Sequence, residues 1–259
     1  MTINADPIPR LDSLEDFNKA FGSSSTDIAK RRDQVFTSLL NQSKKVSQPN
    51  FCRIGSEDLA ILFDLYDQIF FKGWLSETLD RSGQKPLSFR LSTKMTRKGG
   101  SFVIYRSGKL QITVAVNLLY QQFKKSKSAV IVNGLTCANR LTALQAVLEH
   151  EITHLAETLL WTRTSCKKAR FKGMAHSVFG HTEHVHKMLT TDRLAIIEYG
   201  IEVGTKVSFG FKGQEYQGFV NRITKRATVL VKHTEGPLYS DGHRYKKYLV
   251  PLGDLSPAP

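Results

Sequence analysis

The stretch that most constrains this chain covers residues 139–161, NRLTALQAVLEHEITHLAETLLW. Apolar residues recur in it at helical spacing, which predicts one long amphipathic helix with Asn139 as its N-cap. The apolar stripe consists of Leu141, Leu144, Leu148, Ile152, Leu155 and Leu159. A chain of 259 residues is long enough to bury such a stripe in one large domain or two smaller ones.

The same helix carries the motif His150-Glu151-x-x-His154. Residues four apart lie on one face of a helix, so the two imidazoles can bind one metal ion. Glu151 lies about 100° round the axis, where its carboxylate can reach a metal-bound water rather than the metal. This pattern is typical of Zn²⁺ sites that hydrolyse bonds, with Glu151 as general base and then acid. The alternative is a polar patch on a helix.

A catalytic zinc site needs a third protein ligand and leaves one position open for water. Candidates downstream of the motif are Cys166, His176, His181, His184 and His186. Taken singly, each has an ordinary alternative: a thiol can be a small buried apolar group, and a histidine can be structural or solvated. The residues alone leave this choice open.

The net charge of +14 is distributed unevenly. Residues 87–130 contain nine Lys or Arg and no Asp or Glu, and residues 158–182 contain five and again no acid. The two runs flank the His-Glu motif, which predicts a polyanionic partner, DNA or RNA. The candidate nucleic-acid contacts in these runs are Lys94, Arg97, Lys98, Lys167 and Lys168. The alternative is a basic, solvated surface.

Residues 1–50 are polar and rich in serine, so we expect a loosely ordered arm with one helix near 26–42. Residues 56–80 have helical periodicity that ends near Gly73. Residues 87–116 alternate like strands, with Gly-Gly and Ser-Gly turns, and predict a three-stranded antiparallel sheet.

The remaining segments predict short helices at 117–123 and 166–179, the latter followed by Gly180. Residues 203–257 contain short β-runs separated by Gly, Asn and Asp-Gly turns, which is typical of a small all-β barrel. We therefore expect an α+β fold with a domain boundary near 191–202.

Residues 63–75, FDLYDQIFFKGWL, are followed by a basic strand region and then by LEHEITHLAETLLW. This order of segments resembles the SprT-like zinc metalloprotease domain, over residues 55–190. The family includes the Spartan proteases, which degrade proteins crosslinked to DNA. The resemblance implies a zincin-like domain, in which the HExxH helix packs with a small sheet, and a zinc-dependent endopeptidase that acts on DNA-associated or DNA-crosslinked proteins.

The family supplies its third ligand from a His-Gly-x-x-Phe/Trp motif at the start of the next helix. Phe171 and the pair Phe179-Gly180 match that motif and the family's closing Leu-Gly, but Lys167 stands where the histidine belongs. The resemblance therefore favours the neighbouring Cys166 as third ligand, with His181 as the next candidate.

The family's four-cysteine zinc ribbon is absent, because the chain has only three cysteines. Residues 203–257 instead resemble small β-barrels of the Tudor and KOW kind, and similar tails occur on bacterial SprT-like proteins. Basic and aromatic residues alternate in this segment, so it can contact phosphates and stack on bases. The candidate basic contacts are Arg222, Lys225, Arg226, Lys246 and Lys247, and the aromatic set is Tyr216, Phe219, Tyr239, Tyr245 and Tyr248. The aromatic residues could equally fill the core.

Two other functions stay open from the sequence. One is a nucleic-acid-binding protein with a structural or degenerate metal site, and the other is a metal-dependent hydrolase of a non-protein substrate. The widely spaced cysteines and the absence of an apolar signal segment lead us to expect a cytoplasmic protein without a membrane partner. The resemblance to bacterial SprT-like proteins implies a protein of bacterial type and leaves association with the nucleoid open.

Overall fold

The computed structural model describes residues 11–83, 85–123, 129–185, 188, 191–224 and 226–258, without the side chains of residues 85 and 191–194. The chain divides into two compact units, Met1–Met188 and Leu189–Pro259. Helices and small sheets occur together, as an α+β fold requires. No helix in the described segments has the length and apolarity needed to cross a membrane.

The first unit contains seven helices and five strands in its described residues. They are α1 (Leu14–Phe21), α2 (Ser25–Gln42), α3 (Ser56–Phe71), α4 (Trp74–Arg81), β1 (Lys85–Ser92), β2 (Gly100–Ile104), β3 (Lys109–Ala115), α5 (Val116–Gln122), β4 (Val130–Val132), β5 (Leu135–Cys137), α6 (Arg140–Trp161) and α7 (Ala169–Phe179). The predicted helices at 139–161 and near 26–42 are confirmed as α6 and α2.

Helix α6 is the central element of this unit. The Asn139 side chain accepts the backbone N–H of Thr142, and the Thr142 hydroxyl oxygen accepts the backbone N–H of Asn139, which closes a capping box at the predicted N-cap. Leu144, Ile152 and Leu155 on the predicted stripe are fully buried. The opposite side of the helix is also largely buried, so α6 has neighbours all round rather than on one face.

The expectation of a loosely ordered N-terminal arm is wrong for residues 11–50. Helices α1 and α2 bury apolar side chains in the main core, and the Phe21 ring lies 5.2 Å from the ring of Phe71 on α3. Two serines of this segment are helix caps: Ser13 accepts from the Asp16 N–H and Ser24 from the Asp27 N–H. A serine cluster before a helix stabilises its start rather than breaking structure.

The predicted three-stranded sheet is present, but it is mixed rather than antiparallel. The strand order is β1-β3-β2, with β1 parallel and β2 antiparallel to β3. Strand β3 takes the central position because it is the most buried of the three, with Leu110, Ile112 and Val114 in the core. Strand β2 is therefore an edge strand, and it packs beside α6.

The helix predicted to end near Gly73 is confirmed as α3, and a second helix, α4, fills the rest of the region 56–80. Lys72 adopts a left-handed conformation and ends α3, and Gly73, with φ +83°, begins α4. The buried carboxylate of Asp67 accepts the backbone N–H groups of Leu75 and Ser76, which caps the second helix. The break allows α4 to turn back against the core.

The second unit contains a short α-helix, a 3-10 turn at Leu252–Asp254 and a five-stranded antiparallel sheet. Its elements are α8 (Thr191–Tyr199), β6 (Lys206–Phe211), β7 (Gln214–Ile223), β8 (Ala227–Lys232), β9 (Tyr245–Val250) and β10 (Ser256–Pro257), in the sheet order β10-β6-β7-β8-β9. Helix α8 lies in the segment that we expected to be a boundary.

The sheet of the second unit is curved but open at its ends. The Tyr248 ring of β9 lies 5.4 Å from the Phe209 ring of β6, although these strands are not neighbours in the sheet. The curvature encloses an apolar interior that includes Val207, Val220 and Val229. Among the described residues no strand pairing joins β9 to β10, so the pairing does not form the closed barrel that the sequence suggested.

Candidate metal centre

His150 and His154 lie side by side on consecutive turns of α6, with their ring centroids 4.9 Å apart. Both side chains are half-buried. The ring of Phe171, from the first turn of α7, packs against both of them, at 4.9 Å from His150 and 4.4 Å from His154. This aromatic contact restricts how either imidazole can rotate.

Cys166 completes a group of three metal-competent side chains. One ligand atom each from His150, His154 and Cys166 lie within 4.8 Å of one another, and among the described residues no other such group of three or more occurs. Cys166 lies in the loop between α6 and α7, because α7 begins at Ala169 rather than at the predicted 166. The loop, not the helix start, brings the sulfur to the histidines.

Two imidazoles and a thiolate are a donor set that zinc uses in catalytic sites. Donors bound to one zinc at about 2.0–2.3 Å lie roughly 3.5 Å apart in a tetrahedral arrangement. The three donor atoms lie within 4.8 Å of one another, so a small movement of the side chains would bring them to that spacing. Three protein donors leave one coordination position for water or substrate, so the residues present fit a catalytic zinc ion.

The environment of His154 suits a neutral imidazole. Its Nδ1 lies 2.6 Å from the hydroxyl oxygen of Thr164. When Nδ1–H donates to that hydroxyl, Nε2 keeps the lone pair that a metal ion needs. Burial also lowers the pKa of His154 to about 4, so protons do not compete for this nitrogen near neutral pH.

Glu151 is buried beside the edge strand β2. A Cβ at Gly100 would lie 2.6 Å from Oε1 of Glu151, so only glycine leaves space for this carboxyl group in its present position. Burial raises the pKa of Glu151 to about 8, while the backbone N–H of Phe102 and the charge of Lys98 act in the opposite direction. Without a metal ion this carboxyl group is therefore mostly protonated at neutral pH. A cation bound by the neighbouring histidines would lower its pKa and favour the carboxylate that a general base requires.

His181, the other candidate for third ligand, pairs with Glu149 instead of joining the ligand group. Its Nε2 lies 2.8 Å from Oε2 of Glu149, on a different side of α6 from the motif histidines. Glu149 also accepts hydrogen bonds from Arg32, at 2.7 Å and 3.1 Å, and from the Tyr66 hydroxyl at 2.7 Å. Burial alone would raise the pKa of Glu149, but the Arg32 charge and the His181 contact lower it to about 2.

Within the described part of the chain, the other candidate histidines do not join the ligand group either. His176 Nδ1 lies 3.3 Å from the carbonyl oxygen of His181, and His186 lies outside the described residues. His184 lines a cavity of about 300 Å³ that also includes Phe171 and Lys172. Phe171, which contacts both motif histidines, is shared by this cavity and the candidate metal centre.

The predicted basic contacts of the first unit lie around this centre. Lys94, Arg97 and Lys98 are exposed in the segment that leads into Gly100, and the charge of Lys98 acts on Glu151. Lys167 and Lys168 are exposed and directly follow Cys166. Positive charge therefore borders the site on two sides.

The basic residues proposed for the second unit do not share one surface. By strand register, Lys206, Phe219, Leu230 and Lys247 form one row across the sheet, and Arg222, Thr228 and Leu249 form the next row. We call the exposed members Lys206, Phe219, Arg222, Lys247 and Leu249 the outer face.

The other proposed contacts of this unit lie elsewhere. Lys246 projects to the opposite face, where its Nζ lies 3.3 Å from His233 Nε2. Arg226 is exposed in the turn before β8, and Lys225 lies outside the described residues.

The aromatic residues of the second unit also divide. Tyr216 and Tyr248 pack against Phe209 inside the curved sheet, with centroid distances of 5.0–5.7 Å, and Tyr245 is buried. Of the five aromatic residues proposed from the sequence, Phe219 alone is exposed. Most of these five aromatic residues therefore pack within the second unit rather than present their rings to solvent.

Sequence reasoning missed four residues that shape the site: Gly100, Glu149, Thr164 and Phe171 as a packing partner. Gly100 and Thr164 lie in regions without a motif, and their roles depend on which loops meet α6. Glu149 directly precedes the motif, and its role could have been suspected from the sequence. An acidic residue on a largely buried helix needs a partner, which indicates a buried ion pair.

Comparisons of the chain with protein-family models, with curated proteins and with solved structures found no match.

Proposed function

We propose that this protein is a zinc-dependent endopeptidase of the SprT-like kind, acting on proteins bound or crosslinked to nucleic acid. The observation that carries the proposal is the convergence of His150, His154 and Cys166 beside the buried carboxyl group of Glu151. A purely structural metal site does not need that carboxyl group, which favours hydrolysis over a structural role.

The chain's own residues have separate roles. His150, His154 and Cys166 would hold the ion, and Thr164 orients His154. When bound, zinc supplies Lewis-acid chemistry, which polarises a carbonyl group and acidifies water. Glu151 takes a proton from the attacking water and delivers it to the leaving amine.

Strand β2 supports a polypeptide substrate. It is an edge of its sheet, so the backbone groups on its outer side, apart from the Phe102 N–H that faces Glu151, can pair with an extended peptide. Val103 and Ile104 on this strand are exposed, and its first residue, Gly100, adjoins Glu151. A peptide added at this edge would run past the catalytic carboxyl group.

The test of this function is the metal content of purified protein, measured by mass spectrometry, for wild type, Cys166→Ala and His181→Ala. We expect about one zinc per chain in wild type and in His181→Ala, and none in Cys166→Ala, because two imidazoles alone hold zinc weakly. Circular dichroism of each variant checks that the fold is retained.

Two results would contradict the proposal. Loss of zinc in folded His181→Ala alone would move the third ligand to the histidine cluster. Wild type without zinc would favour the alternative of a nucleic-acid-binding protein with a degenerate site.

The outer face of the second unit supports binding of single-stranded nucleic acid. Exposed Phe219 and Leu249 offer an apolar surface to unpaired bases, and Lys206, Arg222 and Lys247 offer cations to the phosphates. A duplex would engage the cations without using the aromatic face.

Phe219→Ala should therefore weaken the affinity for a fluorescent single-stranded oligonucleotide by about 1–3 kcal/mol, measured by anisotropy. Phe211→Ala is the matched control, because Phe211 is exposed to a similar extent, 45% against 42%, but lies on the opposite face. Equal weakening by both variants, or by neither, would contradict the role of the outer face.

A further inference from the structure

Glu157 is a buried carboxylate that takes no part in the ligand group. It lies three residues after His154 on α6, close to the helix end at Trp161, and is fully buried. Burying a charged group is costly unless its hydrogen bonds are satisfied, so its partners indicate its role.

Both oxygens of Glu157 hold the segment between α6 and α7. Oε2 accepts the backbone N–H of Ser165 at 3.0 Å, and Oε1 accepts Nε–H of Arg170 at 2.8 Å. Ser165 stands between Thr164, the hydrogen-bond partner of His154, and Cys166, the third member of the ligand group. A single bond at Ser165 therefore restrains both functional neighbours.

Arg170 extends this restraint to the two ends of the loop. Its Nη2 donates to the carbonyl oxygen of Arg163 at 3.1 Å, and its guanidinium lies 4.4 Å from the Trp161 ring centroid. The next residue, Phe171, packs on both motif histidines. The end of α6, the loop and the start of α7 are thus connected through the Glu157–Arg170 pair.

We infer that Glu157 and Arg170 are positioning residues for the metal centre: they hold the loop that presents Cys166 and Thr164, and so set the affinity for the metal ion. The inference rests on the proposed zinc site. Interactions that orient metal ligands typically contribute about 10–100-fold in metal affinity.

Full-length Glu157→Gln tests this inference, because it keeps the side-chain shape and one acceptor for Ser165 but removes the charge that binds Arg170. Zinc affinity is measured by competition with a chelator. Cobalt-loaded protein is examined for the sulfur-to-metal charge-transfer band that reports the bond from Cys166. We expect an affinity loss of about 10–100-fold and a weaker band.

Two further variants make the test specific. Arg170→Gln removes the charge at a side chain that is 38% exposed but keeps an amide N–H for Glu157, so it should give the same two effects even if Glu157→Gln folds poorly. The double variant should lose little more than either single variant, because the pair acts as a unit. Glu77→Gln is the matched control, since Glu77 pairs with Arg81 at 2.6 Å on the surface of α4 and should leave metal binding unchanged.

Wild-type affinity and an unchanged cobalt band in both folded single variants would overturn the inference while leaving the zinc site intact. Wild type that binds neither zinc nor cobalt would overturn the inference together with the proposed function. The two failures are therefore distinguishable.

Discussion

Glu151→Gln should reduce peptide-bond cleavage by about 10²–10⁴-fold, because the amide cannot accept a proton from the attacking water. The variant should keep wild-type zinc content, since Glu151 is outside the ligand group. It should also keep its affinity for nucleic acid. The measurement is the cleavage rate of basic, unstructured proteins in the presence of DNA, followed by gel electrophoresis.

Glu77→Gln serves as control for this experiment as well, because Glu77 is an exposed carboxylate on α4. Wild-type cleavage by Glu151→Gln would exclude Glu151 as the general base. A parallel assay with small esters and nucleic acids tests the substrate class: hydrolysis of these compounds alone would contradict the endopeptidase assignment and favour another hydrolase.

Arg32→Met should lower the free energy of unfolding by about 3–5 kcal/mol, the usual cost of leaving a buried charge without its partner. Arg32 forms two hydrogen bonds with Glu149, which is completely buried, and a third with the carbonyl oxygen of Phe179. Its removal leaves the Glu149 carboxylate with only Tyr66 and His181. Denaturant unfolding of metal-free protein measures the effect without a contribution from zinc.

Arg81→Met provides the comparison, because it removes an arginine from an exposed ion pair with Glu77. That change should cost about 0–1 kcal/mol. Similar losses of unfolding free energy in both variants would show that the buried Arg32–Glu149 contact stabilises the fold no more than a surface ion pair does.

The hydrogen bonds from Arg32 to Glu149 also connect the N-terminal helices to the candidate metal centre. Helix α2 contacts the residue that directly precedes His150, and it does so through a fully buried carboxylate. Truncating the first 50 residues as a supposed flexible arm would expose this carboxylate and the core side chains of α1 and α2. A preparation meant for activity measurements should retain them.

The long helix, its Asn139 cap and the two histidines could be predicted because they depend on neighbours a few residues away. Cys166 was within reach only through the family resemblance, since spacing alone left several histidines as equal candidates. The structure separates these candidates: Cys166 lies beside His150 and His154, whereas His181 pairs with Glu149.

Other features could not be predicted from local patterns. The parallel pairing of β1 with β3 depends on which strand is buried at the centre, and the fate of the N-terminal serines depends on the helices that follow them. Gly100 has its role because β2, which is distant in the chain, meets α6, and Glu157 and Thr164 have theirs because the loop after α6 folds back onto the helix. Helix periodicity and capping are short-range properties that a sequence carries locally, whereas the partners of a buried charge are chosen by the surfaces that come together when the whole chain packs.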